Sequence, residues 1–181
     1  TNGAIERLGL LALPLPEPCE PRRFGLIWSR GSPRLALIRA HPELAGKAAM
    51  FITHLDASDL SVLRFYSDND TRVKFFGDLG LAMPKSVIEA TQPGQFFGSV
   101  SAERIDAFDD VDILVTYGGA PLLEAMKADP LMAHMPAVAN EAIVMLGNDP
   151  LGNAANPTPL SLPYLVDDYA ALLAEAARKS P

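Results

Sequence analysis

Apolar and polar positions alternate along this chain in a way that predicts an α/β fold between about residue 48 and residue 179. Short apolar runs rich in strand-forming residues lie at 48–53, 61–66, 96–99, 112–117 and 141–146. Segments with helical spacing lie at 71–79, 121–128 and 163–179, and a further helix is predicted to start at Ser101. Because helices and strands alternate, the pattern indicates a mostly parallel sheet.

Local signals refine these elements. The strands at 48–53 and 61–66 are separated by a turn-forming segment, and we expect them to pair as a hairpin. Asp70 is a predicted N-cap, and Gly80 is predicted to end the same helix in a left-handed conformation. The segment 147–159 is rich in Gly, Asn and Pro and is predicted to be a loop.

The two ends of the chain differ in pattern. The helix at 163–179 has a regular apolar stripe, which predicts burial of Leu165, Tyr169, Leu172, Leu173 and Ala176. Residues 1–31 show no clear period and carry four clustered prolines, so we expect them to be irregular or extended. Ser32 and Pro33 then predict the start of a short helix that runs through Arg39.

Composition narrows the class of protein. The 181 residues allow one domain, and 49% of them are hydrophobic, which is enough for a core. A formal charge of -7 without a basic stripe argues against nucleic-acid binding. The single cysteine, Cys19, excludes an internal disulfide and a thiolate metal cage.

No pattern predicts a protein-bound metal. The three histidines, His41, His54 and His134, lack metal-ligand spacing. The acidic group Asp109, Asp110 and Asp112 does not fit a calcium-binding loop and is expected to be solvated.

Aromatic residues give the clearest indication of a binding site. Tyr66, Phe97 and Tyr117 each lie at or near a predicted strand end, and His54 follows the first strand. Ligands bind beyond the carboxyl ends of parallel strands, so these rings are predicted to line a crevice. Three arginines lie nearby in sequence and are available for an anionic ligand, namely Arg64, Arg72 and Arg104.

Two glycines, Gly118 and Gly119, precede a predicted helix and leave an alternative open. They are interpreted as a strand-to-helix turn, because the rest of a dinucleotide-binding fingerprint is missing. An anion held at the helix start, as in a nucleotide-dependent enzyme, is the competing interpretation.

Five ordered motifs resemble one known family. They are D-L-G-L-x-x-P, S-x-E-x-I-D-x-x-x-D-V-D-I-L-V, L-x-A-M-K-A-D-P-L, P-A-V-x-x-x-x-x-V and N-P-T-P-L-S-L-P-Y, at 78–84, 101–115, 123–131, 136–144 and 156–164. In this order they resemble the C-terminal lobe of iron-siderophore ABC-transporter substrate-binding proteins, the class III periplasmic binding proteins. The resemblance covers about residues 44–178.

The resemblance implies a three-layer αβα sandwich that forms a single lobe of a two-lobed protein. It divides the chain into an atypical leader (1–31), a remnant of the interlobe helix (32–46) and a C-terminal ligand-binding lobe (47–181). An amino-terminal lobe is expected to be missing from this chain, by truncation or by design. Half of the ligand pocket is then expected to be missing as well.

The resemblance also implies which residues contact the ligand. Carried over by position, they are His54, Tyr66, Arg72, Phe97, Tyr117, Asn156 and Thr158. Family members that bind catecholates often have Arg or Lys at the end of the first strand, where this chain has Thr53 and His54. A ferric hydroxamate is therefore the expected ligand. The siderophore itself holds the iron, so neither a cofactor nor a protein ligand to the metal is expected.

The function implied is that of an extracytoplasmic binding protein, not an enzyme, which passes a ferric siderophore to an ABC permease. An acidic residue of the lobe is expected to contact the permease. The location implied is the periplasm or, for a lipoprotein, the membrane surface. Cys19 is a poor candidate for a lipid anchor, because Pro-Glu-Pro precedes it in place of small residues.

Three alternatives remain open at this point. The first is the same fold with cobalamin or haem as ligand. The second is the nucleotide-dependent α/β enzyme domain. The third is a truncated lobe without independent activity, which self-associates through the surface that a missing lobe leaves apolar.

Overall fold

The computed structural model describes residues 33–158 and 161–181. The expectations for the leader at 1–31, including Cys19, lie outside the described residues. Residues 33–40 are helical, as predicted; their assignment to an interlobe helix stays a prediction.

A three-stranded parallel sheet forms the centre of the molecule. Its strands are β1 (Ala49–Phe51), β4 (Ile113–Tyr117) and β5 (Ile143–Leu146), in the order β1-β4-β5. Phe51 lies opposite Val115, and Tyr117 lies opposite Leu146. The predicted parallel α/β fold is therefore confirmed.

The predicted hairpin between the first two strands is found only as a single antiparallel bridge, and no ladder forms between them. Strand β2 (Val62–Tyr66) pairs antiparallel with β3 (Phe97–Ser101), and a single bridge between Ile52 and Phe65 connects it to the chain after β1. Burial explains the difference: all of β1 is buried, as in a parallel strand covered on both faces, whereas β2 alternates between exposed and buried positions. The two strands therefore belong to different sheets.

Seven helices are described. They are α1 (Pro33–Ala40), α2 (Thr71–Asp78), α3 (Lys85–Glu89), α4 (Ala120–Ala128), α5 (Pro136–Ala139), α6 (Pro150–Ala154) and α7 (Leu162–Lys179). Three 3₁₀ segments lie at Pro42–Leu44, Ala102–Phe108 and Met132–His134. The predicted end of α2 is found at Gly80, whose φ is 91°.

Short helices account for the remaining differences from the sequence prediction. The predicted loop at 147–159 contains α6, whose N-cap Asp149 accepts from the Gly152 amide. The helix predicted from Ser101 is a 3₁₀ segment, although Ser101 does cap it. A helix of five residues, such as α6, is too short to show an apolar period, so the sequence pattern does not reveal it.

Two hydrophobic cores cover the two faces of the parallel sheet. Phe51 and Val115 face a core with α2 and α7, whereas Met50 and Leu114 face a core with β2, β3 and α4. Alternate residues of a strand point to opposite faces, so each strand contributes to both cores. This is the predicted three-layer arrangement.

Helix α7 closes the first core. Leu165, Tyr169, Leu173 and Ala176 are buried as predicted, and Leu172 is partly buried. Burial raises the pKa of the Tyr169 hydroxyl, whose oxygen has no hydrogen-bond partner within residues 33–158 and 161–181. No helix in these ranges is long and apolar enough to cross a membrane.

The aspartates around residue 110 are not simply solvated, as was expected. Asp112 accepts from the Ala48 amide at 2.7 Å and from the Ser180 hydroxyl at 2.8 Å. Asp110 accepts from the Ser86 amide at 3.1 Å, and only Asp109 is fully exposed. Asp112 therefore joins the starts of β1 and β4 to the end of α7, a set of contacts that we call the amino-end clasp.

Candidate ligand-binding site

The strands β1 and β4 end side by side, and their last residues form one edge of the sheet. Thr116 at the end of β4 donates from its hydroxyl to the Thr53 carbonyl at 3.1 Å. The exposed His54 ring then stacks on Tyr117 at 5.1 Å between centroids, with 20° between the planes. Phe51 lies 5.4 Å from Tyr117. We call this region, with Tyr66, Arg72 and Phe97 described below, the carboxyl edge.

Arg72 connects the two tyrosines of the carboxyl edge. Its guanidinium carbon lies 4.3 Å from the centroid of the Tyr66 ring, and its Nε donates to the Tyr117 hydroxyl at 3.3 Å. Tyr66 in turn packs edge-on against Phe51 at 5.4 Å. The arginine therefore lies on aromatic surface, where a cation is attracted to the ring face.

Asp70 holds the Arg72 side chain from the other side. Its two carboxylate oxygens accept from Arg72 Nη1 at 3.0 and 2.9 Å, and one of them also accepts from the Arg72 amide at 2.9 Å. The side chains of Arg72 and Asp70 are only 19% and 13% exposed. One carboxylate thus caps helix α2 and fixes the direction of the guanidinium.

The protonation states of this group follow from its surroundings. Burial raises the pKa of the Tyr66 hydroxyl, and the charge of Arg72 offsets only part of that shift. Burial alone lowers the pKa of Arg72, but the hydrogen bond to Tyr117 and the charge of Asp70 outweigh it and the pKa rises. At neutral pH the edge presents the neutral Tyr66 hydroxyl beside a permanently charged guanidinium.

Phe97 reaches the same edge by a route that the sequence did not indicate. It was expected near the end of a strand, but it begins β3. Because β3 runs antiparallel to β2, Phe97 lies directly opposite Tyr66 and on the same face of that sheet. Its side chain is 59% exposed, which leaves most of the ring available for contact.

The two predicted residues of the late loop differ in their placement. Asn156 lies next to the carboxyl edge, because its side-chain oxygen accepts from the Thr71 hydroxyl at 2.7 Å. Thr158 instead exchanges hydrogen bonds with Ser161 at the start of α7, at 2.9 and 3.1 Å. In this structure Thr158 therefore stabilises the start of helix α7.

Three residues of the site were not predicted from the sequence. Phe51 supports the rings of Tyr66 and Tyr117, Asp70 holds Arg72, and Thr71 holds Asn156. Asp70 was predicted only as an N-cap, although an arginine two residues further on is a signal for the additional ion pair. Phe51 had no signal beyond its place in a buried strand.

The structure accounts for Gly118 without a ligand. A Cβ atom at Gly118 would lie 2.5 Å from Cδ2 of Leu122, so a larger residue there would displace the side chain that packs α4 against the end of β4. This agrees with a strand-to-helix turn. Within residues 33–158 and 161–181, no three His, Cys, Asp or Glu side chains form a group that would hold a metal ion.

Several solved structures share this fold. PiaA from Streptococcus pneumoniae, solved in complex with ferrichrome, is 33% identical over 82% of this chain and 50% of its own, with a TM-score of 0.76. A siderophore periplasmic binding protein from the fuscachelin gene cluster of Thermobifida fusca is 20% identical, with a TM-score of 0.58 and coverage of 77% and 49%.

FhuD2 from Staphylococcus aureus with bound ferrioxamine B gives 18% identity and a TM-score of 0.57, with coverage of 80% of this chain and 53% of that one. No protein-family model and no curated protein sequence matches the chain.

These comparisons confirm the resemblance that the five motifs indicated. The chain spans about half the length of the proteins that it matches. Those proteins are substrate-binding components of transport systems and not enzymes. The chain has the fold of one lobe of the iron-siderophore substrate-binding proteins.

Proposed function

We propose that this chain is a ligand-binding lobe of an extracytoplasmic protein that captures a ferric siderophore, of the hydroxamate type, for an ABC permease. The observation that carries the proposal is the contact of Arg72 with Tyr66 and Tyr117 at the carboxyl edge. The 33% identity to PiaA, whose structure contains ferrichrome, supports the same ligand class.

The chemistry of the edge suits a neutral iron chelate. The iron-hydroxamate core of a ferric tris-hydroxamate has no net charge, and the complex presents carbonyl oxygens and apolar linkers around the metal. Exposed rings provide contact area at little cost in side-chain entropy, and an arginine donates to oxygen atoms. A trianionic catecholate requires more positive charge than Arg72 provides, since Asp70 balances that charge.

A second lobe belongs to the proposal. The matched part of this chain spans only about half of each of the matched proteins, and a ligand site buries most of a ligand only when it is enclosed. We therefore expect this lobe alone to bind weakly, and we expect tight binding when a second α/β lobe covers the opposite side of the chelate. The permease partner and the extracytoplasmic location follow from the same proposal.

Titration of the ¹⁵N-labelled chain with gallium(III)-ferrichrome tests the function. Gallium has the charge of ferric iron without its paramagnetism, so weak binding appears as shifts of individual amide signals. We expect the largest shifts at His54, Tyr66, Arg72, Phe97 and Tyr117, and we expect ferric ferrichrome to broaden the same signals. Absence of shifts at millimolar ligand, or shifts confined to another surface, contradicts the proposal.

The alternatives are tested in the same experiment. Cyanocobalamin, haemin and magnesium-ATP replace the gallium complex in parallel titrations. Shifts at the carboxyl edge with cobalamin or haemin alone would assign another ligand to the fold. Shifts at Gly118 and Gly119 with ATP would favour the nucleotide-dependent enzyme. Sedimentation analysis over a range of concentrations tests self-association of the lobe.

Replacing Phe97 with alanine is expected to weaken gallium-ferrichrome binding about 3- to 10-fold, because one ring contact is lost. Thermal stability should change little, since the ring is 59% exposed. The titration and a thermal denaturation curve measure the two effects. Phe96→Ala is the matched control: Phe96 is 60% exposed and its substitution should leave binding unchanged. A large loss of stability with unchanged affinity would show that Phe97 is a core residue.

A further inference from the structure

The carboxylate of Asp70 binds one end of the Arg72 guanidinium. Both of its oxygens are within 3.0 Å of Arg72 Nη1, and Arg72 Nε is directed to Tyr117. Within residues 33–158 and 161–181, Nη2 of Arg72 has no hydrogen-bond partner. The Nη2 group is therefore available to donate to a ligand oxygen, while Asp70 balances the charge of the guanidinium at Nη1.

This ion pair is the main electrostatic feature of the carboxyl edge. Arg72 and Asp70 are 19% and 13% exposed, so water screens the pair less than it screens surface charges. The other ionisable groups near the edge, His54 and Arg64, are exposed, so water screens their charges more strongly. The net charge that a ligand meets at Arg72 therefore depends on Asp70.

We propose that Asp70 is a specificity-determining residue, which neutralises Arg72 and so makes the site select neutral or cationic ferric chelates over anionic ones. The proposal rests on the proposed function, because it concerns the charge of the chelate that the same site binds. Asp70 acts through Arg72 and through its own field, without contact with the ligand.

The physical reason is a balance of charges at short distance. A neutral chelate accepts a hydrogen bond from Arg72 Nη2 and gains little or nothing from the net charge. An anionic chelate is attracted by Arg72 and repelled by Asp70, whose carboxylate lies 2.9 Å from Arg72 Nη1. A cationic chelate is repelled by Arg72 and attracted by Asp70. Removal of the carboxylate charge should therefore raise the affinity for anionic chelates and lower the affinity for cationic ones. The affinity for neutral chelates should stay almost unchanged.

The variant Asp70→Asn isolates this charge. Asparagine is an N-cap residue of similar quality, and its side-chain oxygen still accepts from the Arg72 amide. Asp129→Asn is the matched control: Asp129 also accepts from backbone amides, those of Leu131 and Met132 at 2.9 Å, but no arginine in the described part of the chain pairs with it. Both variants lose one negative charge, so an effect of net charge alone appears equally in both.

Affinities are measured by amide-shift titration with three gallium(III) complexes. They are ferrichrome, which is neutral, ferrioxamine B, which carries one positive charge, and a tris-catecholate, which carries three negative charges. In Asp70→Asn the affinity ratio of the catecholate to ferrioxamine B should rise at least about 10-fold relative to the unmodified chain. Ferrichrome affinity should stay within about 3-fold, and Asp129→Asn should leave the ratio unchanged.

Two failures are distinguishable. If the unmodified chain binds none of the three complexes at the carboxyl edge, the proposed function fails. If it binds ferrichrome but Asp70→Asn has the same ratio as Asp129→Asn, the role of Asp70 is overturned and the function stands. Should Asp70→Asn not fold, Asp70→Ser replaces it, because serine also caps helices and carries no charge.

Discussion

Replacing Phe51 with alanine should cost the chain about 3–5 kcal/mol of its free energy of unfolding, the range typical of a fully buried phenylalanine. Phe51 has no exposed surface, and its ring contacts those of Tyr66, Phe76 and Tyr117 at 5.4, 6.0 and 5.4 Å. Domains are stable by only about 5–15 kcal/mol in total, so the variant should be close to unfolding. Urea denaturation followed by circular dichroism measures the loss.

Phe108→Ala is the control that separates stability from binding. Phe108 is equally buried but packs against Phe65 in the second core, on the other face of the sheet. Both variants should lose comparable stability. In the fraction that remains folded, Phe51→Ala should also weaken gallium-ferrichrome binding, because the two tyrosines of the carboxyl edge lose their support. A stability loss below about 1 kcal/mol for Phe51→Ala would show that these ring contacts do not hold the edge.

Replacing Arg72 with alanine is expected to reduce gallium-ferrichrome affinity about 10- to 100-fold. A hydrogen bond from a charged donor contributes about 1.5–3 kcal/mol, and the variant also removes the cation that lies over Tyr66. The variant leaves Asp70 without its partner at a site where that side chain is only 13% exposed, so some loss of stability accompanies the loss of binding. Amide-shift titration and urea denaturation measure the two effects separately.

Arg104→Ala provides the comparison for Arg72→Ala. Arg104 is exposed and follows the end of β3 that is remote from Phe97, so its removal changes the charge of the chain without touching the site. Its affinity for gallium-ferrichrome should stay within about 2-fold of the unmodified chain. Equal affinities of the Arg72 and Arg104 variants for gallium-ferrichrome would show that Arg72 does not take part in binding. The proposed function would then lose its main support.

The central sheet was predictable because its signal is local. Strand β4 is a run of apolar residues that ends in Thr116 and Tyr117, and such a run indicates a strand buried on both faces. Helix α7 is long enough to show a full apolar stripe. These elements, together with the five motifs, were sufficient to predict the fold.

Strand pairing was not predictable in the same way, because it depends on contacts between distant segments. The pairing of β2 with β3 joins residues about 30 to 40 positions apart, across α2 and α3. The alternation of residue types in β2 indicated a strand, but it did not identify the partner. Since Phe97 is at the carboxyl edge only through this pairing, its position could not be derived from strand ends alone.

The sequence predicted several residues of the candidate site, but it did not predict the contacts between them. His54, Tyr66, Arg72 and Tyr117 are brought together, and each had been selected from the sequence by strand position or by resemblance. The support from Phe51 and the ion pair with Asp70 were missed, because both depend on side-chain directions that a linear pattern does not specify. Binding by these residues stays a prediction that the titrations test.

The amino-end clasp indicates how the ligand specificity of such a fold can change during evolution. Asp112, Ala48 and Ser180 fasten the sheet at the end opposite to the carboxyl edge, roughly 16 Å away along β4. Substitutions of the aromatic residues at the carboxyl edge therefore leave the hydrogen bonds of the amino-end clasp intact. New ligand preferences can arise at the carboxyl edge while the clasp maintains the folded state. Tolerance of sequence change should accordingly be greater around Phe97 than around Asp112.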